Sequence, residues 1–338
     1  MNERINYSLH FFYIPVAGFL LSLLLVFLFL YQKIASAGII ISGILIVSLF
    51  FLLSYYYINQ WANISEINFK QKIFLHSIIY RIIAVIFLYI IFYNETGSLF
   101  PPESADSKSY VYFSKTYSED IEQDKDRTFN PNNIYIFYRV HTKVSDQGFI
   151  RYIGILFYLF GQYEVLISIS NIILSSLSVM LLYKTTKLIL PEQISRIATI
   201  FYMLDPVSIY YNAEFLKEVT LTFLVLNSFY FYLKYVFSKK NRHYYLIISL
   251  LSASTLFFFR LFLPPLIIVS MFIHWFIYSI RNKNLHTRDY FFIFIGFSLI
   301  TGAILFTDML NRFASDMGDI STQYDRKMQA RSRANKFA

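Results

Sequence analysis

The stretch YYNAEFLKEVTLTF, residues 210–223, packs Glu214, Lys217 and Glu218 into five positions between two long apolar runs. Charge beside lipid is costly unless it has water, a partner or a task. Other groups with chemical capacity lie far away in the chain. Asp106 and Tyr110 are four residues apart, so a helix starting near Ser104 presents both on one face. Ser104 is expected to cap that helix, leaving Asp106 in the first turn, where the helix dipole favours an acid. Glu119 and Asp120 open an acidic run. The run reads first as a solvated stretch, although magnesium or manganese needs only one or two such carboxylates plus phosphate. His141 stands alone. Arg260 follows LIISLLSASTLFFF and precedes the pair Pro264-Pro265. Its planar guanidinium suits bidentate contact with a lipid phosphate; a snorkelling arginine at a helix end is the alternative.

The elements that position these groups are set by a membrane. The chain of 338 residues is 56% hydrophobic and 15% charged, and about 20 apolar residues suffice to cross a bilayer core as a helix. An all-α polytopic membrane protein is expected, with nine crossings: Phe11–Tyr31, Ile34–Ile58, Ile73–Tyr93, Val165–Tyr183, Ile197–Asn212, Val219–Phe237, Tyr244–Arg260, Leu261–Ile280 and Tyr290–Phe306. The first is too long for a signal-peptide core and reads as retained. With no cysteine, disulfides and thiolate metal sites are excluded.

Lys and Arg in the short loops put the N-terminus inside. The inner loops then carry Lys70 and Lys72; Lys184, Lys187 and Arg196; Lys239, Lys240 and Arg242; and Arg281, Lys283 and Arg288. The outer loop 94–148 has nine acidic residues against six basic ones. The basic tail is the exception, since nine crossings place it outside. The net charge of +9 orients helices and gives no reason to expect nucleic-acid binding. This topology gathers Asp106, Glu119, Asp120, His141, Asp205, Glu214, Lys217, Glu218 and Arg260 on the outer face. There the 205–218 segment reads as a hairpin tip in water. Residues 148–164 read as an amphipathic interfacial helix ended by Gly161, and Asn171 as an interhelical hydrogen-bonding group.

Three stretches in this order resemble the GT-C superfamily of polyprenyl-phosphate-sugar-dependent glycosyltransferases, which includes protein O-mannosyltransferases and lipid A aminoarabinose transferases. ADSKSYVYFSK is similar to the acidic site in that family's first large outer loop. The run from LFYLFGQYE to YYNAEFLKEVTLTFLVL is similar to its interfacial helix, Asn-bearing span, short span ending in Pro, and acid opening the next span. LFFFRLFLPPLII is similar to its outward Arg followed by Pro. The resemblance covers residues 73–308, including outer loop 94–162. Two additional helices in 1–72 precede it, and a short basic tail, 309–338, follows.

The resemblance implies a sugar carried on a polyprenyl phosphate and a hydroxyl acceptor on a glycan, lipid or protein. It implies an integral protein of a bacterial inner membrane. Asp106 would be the general base of an inverting transfer, with Tyr110 beside it. Arg260 first, and Lys217 second, would meet the phosphate, while Glu214 or Glu218 orients the cation or the sugar. A lone Asp106 is compatible with metal-independent members, and a divalent metal is not excluded. Two other classes fit the same layout: an O-antigen polymerase or ligase, and a lipid-linked sugar flippase. Transporters, however, place ionisable groups near the midplane between inverted repeats, and the sequence has no such repeat.

Overall fold

The computed structural model describes residues 17–18, 21–22, 37–101, 104–122, 144–238, 242–260 and 262–282. His141, the crossing expected at Tyr290–Phe306 and the tail 309–338 lie outside them, as does nearly all of the crossing expected at Phe11–Tyr31. Among the described residues all regular structure is helical. Two compact units divide between Leu261 and Phe262. The first holds α1 (Ala37–Trp61), α2 (Glu66–Thr96), α3 (Ala105–Glu122), α4 (Val144–Phe160), α5 (Val165–Ile189), α6 (Glu192–Leu204), α7 (Pro206–Tyr210), α8 (Glu218–Phe237) and α9 (Arg242–Thr255), which ends in a 3-10 turn, Leu256–Phe258. The second contributes α10 (Leu263–Asn282), whose Pro264 and Pro265 occupy the first turn, where missing N–H groups cost least.

Among the described residues four helices are long and apolar enough to cross a membrane: Gly43–Trp61 of α1, then α2, α5 and α8. They coincide with four of the expected crossings. The expected crossing Ile197–Asn212 is not one continuous helix. Asp205 and Pro206 break it into α6 and α7. The 13 residues of α6 rise only about 20 Å, short of a hydrocarbon core of about 30 Å.

The long helices are sided in the manner of membrane helices. On α2 the residues Leu75, Ile79, Ile82, Ile83, Ile86, Phe87 and Ile90 are exposed, an apolar face fit for lipid. The opposite face buries Phe69, Ile73, Ser77, Arg81, Val85 and Phe92. On this helix the buried face, with Ser77 and Arg81, is therefore more polar than the exposed one, because apolar side chains gain nothing by leaving lipid. At its ends α2 follows local rules. The Ser65 hydroxyl accepts the Asn68 N–H at 3.3 Å, and Gly97, at φ 68, closes the C-terminus by donating to Tyr93 O at 2.9 Å.

Two of the loops expected on the inner side, those with Lys70 and with Lys187 and Arg196, meet at one end of the bundle. Glu66 pairs with Lys70 at 2.6 Å and with Lys187, and Glu192 pairs with Lys187 at 3.5 Å and with Arg196 at 2.5 Å. Arg196 also donates to Trp61 O at 2.8 Å and stacks 4.9 Å over the Phe69 ring. Below them Tyr57, Trp61, Ile73, Val179, Tyr183, Ile200 and Met203 form a continuous core.

The opposite end carries α3 packed on α4. Gly154 permits the close approach: a Cβ there would stand 2.5 Å from Tyr117 Cδ1 and 3.1 Å from Ser114 O. Ser114 Oγ donates to Ile150 O at 3.0 Å. As expected, 148–160 is helical and Gly161, at φ 89, ends it. The Tyr152 and Ser170 hydroxyls then bond α4 to α5, and Lys115 pairs with Glu164 at 2.9 Å.

Candidate functional site

The site is built on the break after α6. Asp205 turns its carboxylate onto the Ser208 N–H at 2.8 Å, capping α7, and Pro206 fills the first helical position. The chain then packs inward. Asn212, Ala213 and Phe215 are fully buried and Lys217 is 7% exposed, which overturns the reading of this segment as a hairpin tip in water. Aromatic packing is the reason: Phe215 meets the Tyr89 ring at 6.2 Å and the Phe100 ring at 5.2 Å. Asn212 Nδ2 donates to Ser208 O at 2.6 Å and Ile209 O at 3.1 Å, stiffening the turn. Asn171 of α5 donates to Glu214 O at 3.4 Å, the bond across elements that its place in an apolar span suggested.

Two sequence-distant groups meet here. Lys217 Nζ lies 6.0 Å from the centroid of the Tyr110 ring, a cation–π approach from the turn onto α3. Tyr110 is fixed from its other side by Phe149 of α4, edge-on at 5.3 Å. Asp106 stands one helical turn before Tyr110, exposed in the first turn of α3. The helix does begin at Ala105, but Ser104 does not cap it with its hydroxyl. Ser104 O accepts the Lys108 N–H at 3.1 Å, while the buried Oγ makes no hydrogen bond within the described residues.

The acids of the opening stretch differ in setting. Glu214 Oε1 accepts the Tyr210 hydroxyl at 3.0 Å. Burial raises the Glu214 carboxyl above its ordinary range; the Tyr210 bond opposes this and the charge of Glu218 adds to it. Glu218 opens α8 with a buried Oε2 that no hydrogen bond from the described residues satisfies. Further unsatisfied buried atoms lie on the neighbouring elements: Asn171 Oδ1, Asn212 Oδ1, Thr220 Oγ1, Gln147 Nε2 and Ser104 Oγ. Protein interiors rarely leave such groups idle, so this end of the bundle has hydrogen-bonding capacity to offer a polar ligand.

A raised carboxyl pKa has a definite sign. The folded chain holds the Glu214 proton more tightly than the unfolded one, so stability falls as pH rises from the ordinary glutamate range through the raised value. Glu214→Gln keeps an acceptor for Tyr210 and stays neutral. Its melting temperature in detergent is expected to gain on that of the parent as pH is raised from 4 to 8. A constant difference across that range would contradict the burial effect.

Other sequence candidates are placed apart. Arg260 is exposed, and its N–H donates to Leu256 O at 2.8 Å. It follows the 3-10 turn, where Gly148 of α4 lies so close that a Cβ would be 2.5 Å from Phe258 O. Arg260 thus approaches from the α4 side, whereas Lys217 contacts α3 directly. Glu119 accepts from Gln162 Nε2 at 3.2 Å, and Asp120 is half-buried on the same helix. Among the described residues no three His, Cys, Asp or Glu side chains gather as metal ligands.

One residue escaped the sequence reading. Arg81 is fully buried midway along α2, the lone Lys, Arg, Asp or Glu between Lys72 and Glu95. A single charge in 22 intervening residues was the available signal.

Residues 150–305 match the family model described as Dolichyl-phosphate-mannose-protein mannosyltransferase. No curated protein and no solved structure matches the chain. The match contains Glu214, Lys217, Glu218 and Arg260 and begins after Asp106 and Tyr110, later than the 73 expected from resemblance. It takes in most of α4, all of α5 to α10, and the broken span with its charged turn. With apolar helices of membrane-spanning length around it, the stretch 150–305 is similar to the membrane mannosyltransferases that this family model describes.

Proposed function

We propose that the protein transfers a hexosyl or pentosyl group from a polyprenyl-phosphate donor to a hydroxyl on a glycan, lipid or protein, at the outer face of the membrane. The observation that carries this is the contact of buried Lys217 with Tyr110, one turn from Asp106. It pairs a fixed cation with an exposed carboxylate on facing elements. An acceptor hydroxyl approaches Asp106 from the aqueous side, and its oxygen attacks the anomeric carbon. As that C–O bond forms, the bond from the anomeric carbon to the phosphate oxygen breaks on the opposite face, and Asp106 takes the hydroxyl proton. The configuration inverts. Lys217 stabilises the charge on the departing polyprenyl phosphate, where a preoriented cation in a dry site is most effective. Arg260, exposed at the α4 side, meets the same phosphate as it enters from the lipid. Glu214 and Glu218 orient sugar hydroxyls.

The test is transfer by the full chain in proteoliposomes supplied with short-chain polyprenyl-phosphate hexose or pentose and a panel of hydroxyl acceptors. Release of polyprenyl phosphate together with a glycoside of inverted configuration is expected. Movement of the intact lipid-linked sugar between leaflets, without release, would overturn the reading in favour of a flippase.

A further inference from the structure

Arg81 does no chemistry in the proposed reaction, yet it is buried more completely than any other cation among the described residues. Its guanidinium is shared among elements distant in sequence. Nε donates to Ser175 Oγ of α5 at 2.7 Å, and Nη1 to Ser77 Oγ of α2 at 2.7 Å. Nη1 also donates to Ser77 O at 3.3 Å, and two further bonds go to both sides of the helix break. Nη1 reaches Met203 O, at the end of α6, at 3.2 Å, and Nη2 reaches Ser208 Oγ, inside α7, at 3.0 Å.

Breaking a helix within apolar surroundings frees carbonyls that water cannot satisfy. Arg81 satisfies one of them and places positive charge at the negative end of the α6 dipole. Among the described residues no carboxylate forms an ion pair with it. Asp205 acts on it through space while its own oxygen caps α7. Beyond Ser208 the turn is held by successive bonds: Asn212 Nδ2 donates to Ser208 O, the Ala213 N–H to Tyr210 O, and Asn171 Nδ2 to Glu214 O.

We propose that Arg81 is a positioning residue that pins the α6–α7 break and thereby fixes the height of the 210–217 turn, with Glu214 and Lys217, against α3. Only its catalytic consequence rests on the function proposed above; its structural core does not.

The absence of cysteine makes a site-specific test direct. Ala213→Cys puts a small reporter in the buried turn, and Thr116→Cys puts a control on the exposed face of α3. Both are labelled with a water-soluble maleimide in proteoliposomes. In Arg81→Gln, Cys at 213 is expected to label about tenfold faster, the scale of a lost charge-assisted hydrogen bond, while the control is unchanged. Arg81→Lys should restore most of the protection by keeping the charge. Ser208→Ala, which removes only the bond into α7, should give a smaller acceleration, and it carries the test if Arg81→Gln does not accumulate. Parent-like labelling at 213 in the variant that accumulates would overturn the proposal. So would equal acceleration at both reporters, which marks Arg81 as a residue of general stability. If labelling changes as expected but the parent chain transfers no sugar, the positioning role stands and the proposed function fails.

Discussion

Replacing Asp106 by Asn is expected to lower sugar transfer by about two to four orders of magnitude, the usual contribution of a general base. The structure makes the substitution a clean one. Asp106 is exposed in the first turn of α3, and the packing of that helix rests on Ser107, Val111, Ser114 and Ser118 on its buried side. The favourable interaction with the helix dipole is worth only about 0.3–1 kcal/mol at an exposed site, so folding should survive its loss. What the carboxamide cannot do is accept the acceptor's proton. The deficit should therefore appear in kcat, with the KM for the lipid donor little changed. Undiminished turnover in a membrane preparation would remove Asp106 from the mechanism.

Lys217→Met is expected to cost about 10²–10³-fold in kcat/KM, the scale found when one preoriented stabiliser of a developing anion is removed. Met keeps the length and apolar stem of the side chain, so the approach to Tyr110 is filled and the charge alone is deleted. The donor's phosphate is anionic before and after transfer, so both KM and kcat should suffer. This distinguishes Lys217 from Asp106. Arg260→Met, by comparison, is expected to act mainly on the KM for the donor, because an exposed cation guides a phosphate that is still partly solvated. If kinetics with a synthetic donor show the Arg260 variant dead and the Lys217 variant unimpaired, the roles assigned to the two cations are reversed.

The Glu214 and Arg81 predictions probe the same turn from two directions, one through its proton and one through its anchor. Both follow from a segment whose sequence is polar but whose backbone is packed. That contrast explains which expectations survived. Apolar runs of about 20 residues, at Ile73–Tyr93, Val165–Tyr183 and Val219–Phe237, read as helices because a helix satisfies its backbone groups within a single segment in lipid. The α3 start and the stop at Gly161 were equally local: a four-residue spacing and a residue free to take positive φ. The broken span was harder. Pro206 was visible in Ile197–Asn212, but a proline alone does not say whether a helix kinks or ends. The Ser104 cap failed because the buried position of its side chain depends on α3's neighbours.

By itself the sequence determined the membrane class, the long helices and the resemblance that the match over 150–305 supports. These rest on composition, hydrophobic run length and order along the chain. Only the tertiary structure decided that Lys217 rather than Arg260 touches the helix of Asp106. It alone showed that Asn212, Ala213, Phe215 and Lys217 are buried rather than solvated, and that Arg81 grips both sides of the break. The physical reason is the same in each case. A side chain's partners come from helices separated by scores of residues, Arg81 with Ser175 and Ser208, or Tyr110 with Lys217, and no local periodicity encodes which of them will meet.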